Sequence, residues 1–120
     1  VDGWIDWNMV LDKQGGPNWF KNWCVAPVIV DPEKDEVYFT PLYYTLAHFS
    51  KFIRPGAVRV GFNNPDKELL VTACQNPDNS FAVVVFNPTD NDKQITLSQN
   101  NKKVHFKISS KAIQTIVLKK

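Results

Sequence analysis

The hydrophobic pattern of the chain changes at about residue 57. Beyond that point apolar residues alternate with polar ones or form short runs, and polar turns separate the runs. Such spacing is typical of strands in an antiparallel sandwich. It predicts six strands: Ala57–Phe62, Glu68–Gln75, Ser80–Asn87, Lys93–Ser98, Val104–Ile108 and Ala112–Lys119. Because Phe81–Phe86 is apolar without interruption, we expect it to form a central strand.

A helix is predicted over residues 41–53. Thr40 suits the capping position and Pro41 the first helical position, where the missing N–H of proline costs nothing. Apolar side chains recur at steps of three and four residues and give the helix one apolar face. These residues are Leu42, Leu46, Phe49 and Ile53. Pro55-Gly56 ends the segment, and we place a domain boundary there, between residues 1–56 and residues 57–120.

The segment before the helix has little regular structure in its pattern. Residues 3–8 alternate and are rich in aromatic and branched side chains, which predicts a short strand. Residues 15–18 carry a Gly-Gly-Pro-Asn turn signal. Residues 19–40 are expected to form a long loop with one short strand at Val28–Val30. One strand and one helix cannot bury the apolar surface they present, so we expect this segment to dock into a larger array.

Length and charge exclude several classes of protein. The 120 residues are too few for a complete (β/α)₈ barrel. A net charge of +2 gives no indication of nucleic-acid binding. No apolar run is long enough to span a membrane, and the first residues do not resemble a signal peptide. The two cysteines, Cys24 and Cys74, fit no metal or redox spacing and are expected to be separate thiols.

Tryptophan and asparagine neighbour each other three times near the start of the chain. The pairs are Trp7-Asn8, Asn18-Trp19 and Asn22-Trp23. An indole face can cover the apolar face of a sugar ring while amides bond its hydroxyls, although tryptophans are also common in cores.

Catalytic and metal-binding patterns are weak. Asp6 could be one of the two carboxyl groups that glycoside hydrolysis requires, but an aspartate at this place more often bonds local backbone N–H groups. His48 and His105 have no partner at motif spacing and are expected to be packed or at the surface. We predict no metal site and no cofactor.

Several short strings of the sequence occur in a fixed order. They are Gly3-Trp4-Ile5-Asp6-Trp7-Asn8, Gly15-Gly16-Pro17-Asn18-Trp19, Asn22, Pro27, Ile29-Val30-Asp31, His48-Phe49-Ser50-Lys51-Phe52-Ile53, Arg59-Val60-Gly61 and Val83-Val84-Val85. In these strings the chain resembles the C-terminal part of the acid β-glucosylceramidases of glycoside hydrolase family thirty. The resemblance covers residues 3–53 in order and continues more loosely over residues 57–120.

The resemblance implies a mixed fold, in which the last βα unit of a (β/α)₈ TIM barrel is followed by an all-β sandwich. Residues 3–7 would form the eighth barrel strand, residues 8–40 an active-site loop and residues 41–53 the last barrel helix. Residues 57–120 would form a sandwich that is incomplete without strands from the N-terminal part of the parent protein.

The resemblance also implies an activity. Family members hydrolyse glucosylceramide to glucose and ceramide with retention, using two glutamates that precede this segment, so the isolated chain is expected to be inactive. Trp7 and Asn22 match sugar-contacting positions, and Asn18, Trp19 and Trp23 match loop positions near the active site. The implied partners are a glycosphingolipid, the rest of the barrel, an activator protein and an acidic lipid surface. The implied location is lysosomal or secreted.

The sequence departs from the family at one position of the loop, and a second function is also compatible with the pattern. Val25 stands where many relatives carry an aspartate, which changes the charge of the loop. A sandwich with a tryptophan-rich arm is also compatible with a non-catalytic module that binds a carbohydrate or a partner.

Overall fold

The computed structural model describes residues 3–119. These residues pack as two compact units, one up to Ala47 and the other from His48 onward. The predicted domain boundary at Pro55-Gly56 stays a prediction.

The first unit contains a small three-stranded sheet. Its strands are β1 (Val10–Asp12), β2 (Val28–Asp31) and β3 (Glu36–Phe39), in the order β1-β2-β3. β1 runs parallel to β2, and β2 runs antiparallel to β3. The predicted strand at Val28–Val30 is therefore confirmed. β3 was missed, although the aromatic and branched residues after the turn at 31–35 carried its signal.

The strand predicted over residues 3–8 is wrong. The structure has no strand among residues 3–9, and the side chains of Trp4, Ile5 and Trp7 are 75%, 97% and 74% exposed. A strand needs a neighbour to accept and donate its ladder hydrogen bonds. The described residues offer that neighbour only from Val10 onward, where Val28 is its partner in the register.

The helix α1 (Pro41–Ser50) begins where the sequence predicts and ends three residues early. The chain continues as a turn in which the Ile53 N–H donates to the Phe49 carbonyl at 2.9 Å. The Thr40 hydroxyl does not cap the helix as expected, because it lies 3.1 Å from the carbonyl oxygens of Ala26 and Pro27 and donates to them. Within residues 3–119 no helix combines the length and apolar character needed to cross a membrane.

The second unit is a small β-sandwich. One sheet has the order β4-β5-β6-β9 and the other consists of β7 and β8. The strands are β4 (Val58–Arg59), β5 (Leu70–Gln75), β6 (Phe81–Asn87), β7 (Lys93–Gln99), β8 (Lys102–Ile108) and β9 (Ala112–Leu118). All six predicted strands are present, the first reduced to two residues. β6 lies between β5 and β9 and is the most buried strand, so the predicted central strand is confirmed.

The core of the sandwich lies between the two sheets. Val83 and Val85 of β6 pack with Ile108 of β8, and all three are buried. Beside this core the two sheets enclose an open, mostly apolar cavity of about 570 Å³. That strands from elsewhere in a parent protein complete the sandwich stays a prediction.

The cysteines and histidines have structural surroundings. Cys24 is half-buried and Cys74 buried, and both are free, which confirms the predicted separate thiols. The His48 ring lies 2.9 Å from the Thr115 hydroxyl, and His105 is exposed on the β7–β8 hairpin. Both positions agree with the expectation of packed or surface histidines.

Asn76 links the chain after α1 to the β5–β6 turn. Its amide donates to the Phe52 carbonyl at 3.0 Å, and its oxygen accepts from the Arg54 N–H at 3.0 Å. Because Asn76 is buried, Asn76→Ala leaves both backbone groups without their partner, and we expect a loss of about 1–3 kcal/mol in unfolding free energy. Chemical denaturation measures this, with the exposed His105→Ala as control. If Asn76→Ala lowers the unfolding free energy no more than the control does, the two hydrogen bonds of Asn76 do not stabilise the fold.

Three carboxylates of the second unit make its stability sensitive to acid. The pKa of Asp66 is lowered from 3.8 mainly by the Lys93 ammonium, that of Asp92 by Lys107 and that of Asp78 by the Ser80 hydroxyl. A carboxyl whose pKa is lower in the folded state stabilises the fold above its unfolded pKa and loses that contribution as the pH falls through the folded pKa.

We therefore expect these groups to contribute fully at pH 5 and to lose their contribution below about pH 4. Thermal unfolding at pH 7, 5, 4 and 3 measures the loss. Lys93→Met returns the pKa of Asp66 towards its ordinary value, so this variant should be less stable at pH 7 and should lose less on acidification. An equal acid-induced loss in both proteins would count against the role of this ion pair.

Candidate functional site

A tight turn after β1 shapes the loop of the first unit. The carboxylate of Asp12 accepts hydrogen bonds from the backbone N–H groups of Gln14 and Gly16, both at 2.8 Å. Gly15 has φ +87°, which favours glycine, and a Cβ atom there would lie 2.2 Å from the Cys24 carbonyl oxygen. The predicted turn at residues 15–18 thus depends on Gly15 in particular.

The loop encloses a hollow of about 360 Å³. Its lining combines aromatic side chains, amides and the backbone of the turn. The lining residues are Trp7, Asn8, Gly15, Pro17, Asn18, Trp19, Phe20 and Asn22. Four of the five residues predicted to contact substrate therefore line one hollow: Trp7, Asn18, Trp19 and Asn22. The fold brings them together although the first and the last are fifteen residues apart in the chain. Their role in binding stays a prediction.

Trp23, the fifth predicted residue, does not line the hollow. Its ring packs against the turn, because a Cβ atom built on Gly16 would lie 3.3 Å from the ring. Asn8 also lines the hollow; the sequence paired it with Trp7 as a combination suited to a sugar, but it was not among the five predicted contacts. Phe20 and two residues of the glycine-proline turn line the hollow without having been predicted, and for Phe20 the available signal was its position next to Trp19.

The aromatic side chains of the hollow are accessible to a ligand. Trp7 is 74% exposed, and Trp19 and Phe20 are 99% and 86% exposed. Asn22 is exposed and Asn18 half-buried. Exposed ring faces beside amide groups suit a sugar, whose C–H faces are apolar and whose rim consists of hydroxyls.

Among residues 3–119 no carboxylate lines this hollow. The three glutamates of the chain have other partners: Glu33 lies 3.3 Å from the Lys13 ammonium, Glu36 accepts from the Tyr38 hydroxyl, and Glu68 lies 2.6 Å from Lys93. Asp6 accepts the Trp7 backbone N–H at 2.8 Å, in agreement with the local hydrogen bonding expected for it. The described residues therefore offer no pair of carboxyl groups to a ligand in the hollow.

Charged groups lie on the small sheet next to the loop. The Lys13 ammonium is 2.9 Å from the buried Asp31 carboxylate, and Asp31 and Glu33 together raise the pKa of Lys13. The Glu36 carboxylate raises the pKa of the Tyr38 hydroxyl, which donates to it. The Lys13 contacts link the residue after β1 to the β2–β3 hairpin, whereas the Tyr38–Glu36 contact lies within β3. Among residues 3–119 no three potential metal-ligating side chains come together.

The fold combines a strand–loop–helix unit that carries this aromatic and amide-lined hollow with a following β-sandwich. Two family models match in the same order: the TIM-barrel domain of glycosyl hydrolase family 30 over residues 1–53, and the β-sandwich domain of that family over residues 56–116. The chain belongs to glycosyl hydrolase family 30. Its fold is the last βα unit of the TIM barrel followed by the β-sandwich domain.

Relatives of the chain are glycosidases by name. Lysosomal acid glucosylceramidase of Mus musculus is 44% identical over 82% of the chain, and putative glucosylceramidase 2 of Caenorhabditis elegans is 46% identical over 72% of it. The aligned parts make up 19% and 17% of those proteins, so the chain spans less than a fifth of the curated relatives it matches.

A solved structure has the same backbone arrangement. The crystal structure of SrfJ from Salmonella typhimurium superposes with a TM-score of 0.92 at 28% identity, covering 97% of the chain and 26% of SrfJ.

Proposed function

We propose that this chain supplies one wall of the glucose subsite in a retaining β-glucosidase that hydrolyses glucosylceramide to glucose and ceramide. Trp7 stacks on the glucose ring and Asn22 hydrogen-bonds a hydroxyl, with Asn18 and Trp19 completing the contact. The observation that carries the proposal is the hollow, in which these four residues line one space of sugar size. The names of the mouse and worm relatives support glucosylceramide as the substrate.

The two catalytic glutamates belong, in this proposal, to parts of the barrel outside this chain. Retaining hydrolysis needs two carboxyl groups about 5–5.5 Å apart on either side of the glycosidic bond. The described part of the chain places no carboxyl group in the hollow, and its glutamates are engaged in ion pairs or hydrogen bonds on other surfaces. The rest of the barrel is therefore an obligatory partner of this segment.

The location and the further partners are part of the proposal. We propose a lysosomal protein, supported by the name of the mouse relative. The glycosphingolipid is the substrate, and the activator protein and the acidic lipid surface remain predictions from the family resemblance.

A chimera provides an active protein in which to test the subsite. In it, this chain replaces the matching segment of mouse lysosomal acid glucosylceramidase, whose remaining sequence supplies the rest of the barrel. Asn22→Ala removes a hydrogen bond to a sugar hydroxyl, so we expect kcat/KM for an aryl β-glucoside to fall about 5- to 10-fold, equivalent to about 1–1.4 kcal/mol. Steady-state kinetics measure the change.

The matched control is Asn79→Gly, which changes an asparagine on the exposed β5–β6 turn, where φ is +65° and glycine is tolerated. It should leave kcat/KM unchanged. An Asn22→Ala chimera with the kinetic constants of the parent chimera would remove Asn22 from the subsite.

The alternative function is a non-catalytic carbohydrate- or partner-binding module. The observation in its favour is that each unit packs by itself and that the hollow lies wholly within the first unit. The chain alone should then bind glucose and quench tryptophan fluorescence with an affinity equal to that of the chimera. Binding that appears only in the chimera would favour the glycosidase subsite.

A further inference from the structure

The carboxylate of Asp12 organises the turn without entering the hollow. Asp12 is the last residue of β1 and is not among the lining residues. Besides the two N–H groups that its carboxylate accepts, its backbone N–H donates to the Gly16 carbonyl at 2.6 Å and its carbonyl accepts from the Gly15 N–H at 3.0 Å. Four hydrogen bonds from one residue thus fix the backbone of residues 12–16.

The two glycines of the turn are closely packed against the returning loop. Gly15 abuts the Cys24 backbone so closely that any Cβ atom would overlap it, and Gly16 is buried. A Cβ atom on Gly16 would lie 3.3 Å from the Asp12 carboxylate and equally close to the Trp23 ring. The side chain of Asp12, the two glycines and the returning loop therefore fit together in one arrangement.

The same turn carries one wall of the hollow. Gly15 and Pro17 line it directly, and Asn18 follows Pro17 in the chain. On the returning side, the Cys24 N–H donates to the Gly15 carbonyl at 3.4 Å, two residues after Asn22. A displacement of the turn would move both amide groups relative to a bound sugar.

We infer that Asp12 is a positioning residue for the glucose subsite, acting through the Gly15–Gly16 turn on Asn18 and Asn22. This inference rests on the proposed function. It concerns the geometry of the hydrogen-bond acceptor rather than the negative charge, because two backbone N–H groups converge on one oxygen. An asparagine oxygen can accept both hydrogen bonds, an alanine can accept neither, and a glutamate places the oxygen one methylene away.

The test compares Asp12→Ala, Asp12→Asn and Asp12→Glu in the chimera with an aryl β-glucoside. Misplacing substrate contacts by a fraction of an ångström to one ångström weakens binding of the sugar, so Asp12→Ala and Asp12→Glu should raise KM at least about tenfold. The catalytic glutamates lie outside this chain, so kcat should stay within about threefold. Asp12→Asn should restore KM to within about threefold of the parent chimera.

A general loss of stability must be distinguished from displacement of the Asn18 and Asn22 amide groups. Asn76→Ala in the sandwich lowers stability without touching the turn, so it should lower the melting temperature and leave KM unchanged. If Asp12→Ala does not fold, the comparison of Asp12→Asn with Asp12→Glu decides, since both keep a hydrogen-bond acceptor. Gly15→Ala, which displaces the same turn from its other side, should raise KM as well.

The outcomes separate this inference from the proposed function. Folded Asp12→Ala or Asp12→Glu chimeras with an unchanged KM would overturn it, as would an Asp12→Asn variant as impaired as Asp12→Ala. If Trp7 and Asn22 variants raise KM while Asp12 variants do not, the subsite stands and the positioning role fails. If none of these variants changes KM, the proposed subsite itself is wrong.

Discussion

The purified chain should show no turnover of an aryl β-glucoside, while the chimera with the mouse relative should hydrolyse it. The reason is chemical, since the residues that the structure describes offer aromatic and amide groups but no pair of carboxyl groups beside the hollow. Sugar contacts change the rate of hydrolysis by a factor, whereas the two carboxyl groups are required for the reaction itself. Without the nucleophile the glycosyl-enzyme intermediate cannot form. We expect kcat of the chain to be at least about 10⁶-fold below that of the chimera.

The control for this experiment lies within the chain. Traces of a contaminating glucosidase would survive substitution of Trp7 or Asp6, because such activity does not depend on this chain. Turnover by the purified chain that Trp7→Ala or Asp6→Asn abolishes would show that the chain carries its own catalytic group. That result would contradict the inactive-segment proposal.

Trp7→Ala in the chimera should have the largest effect of any single substitution proposed for the hollow. A tryptophan face that covers about 100 Å² of apolar sugar surface contributes about 2.5 kcal/mol, equivalent to a 50- to 100-fold loss in kcat/KM. Trp7 is three-quarters exposed in the described chain and makes its only hydrogen bond through its backbone, so its ring is available for such a contact. Steady-state kinetics with the aryl β-glucoside measure the loss.

A graded series distinguishes stacking from a general disturbance. Trp7→Phe keeps an aromatic face of smaller area and should lose about tenfold, between the parent chimera and Trp7→Ala. His105→Ala, on the exposed β7–β8 hairpin, should leave kcat/KM unchanged. Equal losses for Trp7→Phe and Trp7→Ala, or no loss for either, would contradict a stacking role.

The sandwich could be predicted almost completely from the sequence, because its strands satisfy their hydrogen bonds with neighbours in the same chain. β6 is apolar on both faces and lies between β5 and β9, as its uninterrupted run indicates. For residues 3–8 the same reasoning wrongly predicted a strand. Periodicity describes the side chains of a segment and contains no information on whether a neighbouring strand is available for pairing. The helix start was set by Pro41, whereas the hydroxyl of Thr40 found acceptors in Ala26 and Pro27 instead.

The residues of the hollow were accessible from the sequence only in part. Trp7, Asn18, Trp19 and Asn22 came from residue type and family resemblance, and the fold places all four on one hollow. Asp12 was not distinguished from other aspartates, because its importance lies in backbone N–H groups that converge on it only after the turn has formed. Residue patterns indicate which side chains suit a ligand, and coordinates are needed to find the groups that hold them.

A crystal structure of the chimera with an uncleaved glucose-derived inhibitor bound tests most directly whether the hollow forms part of the glucose subsite. We expect the inhibitor ring on the face of Trp7, with the Asn22 amide within hydrogen-bond distance of a hydroxyl and two glutamates from outside this chain on either side of the anomeric carbon. An inhibitor bound elsewhere, with the hollow empty, would show that the hollow is not the glucose subsite.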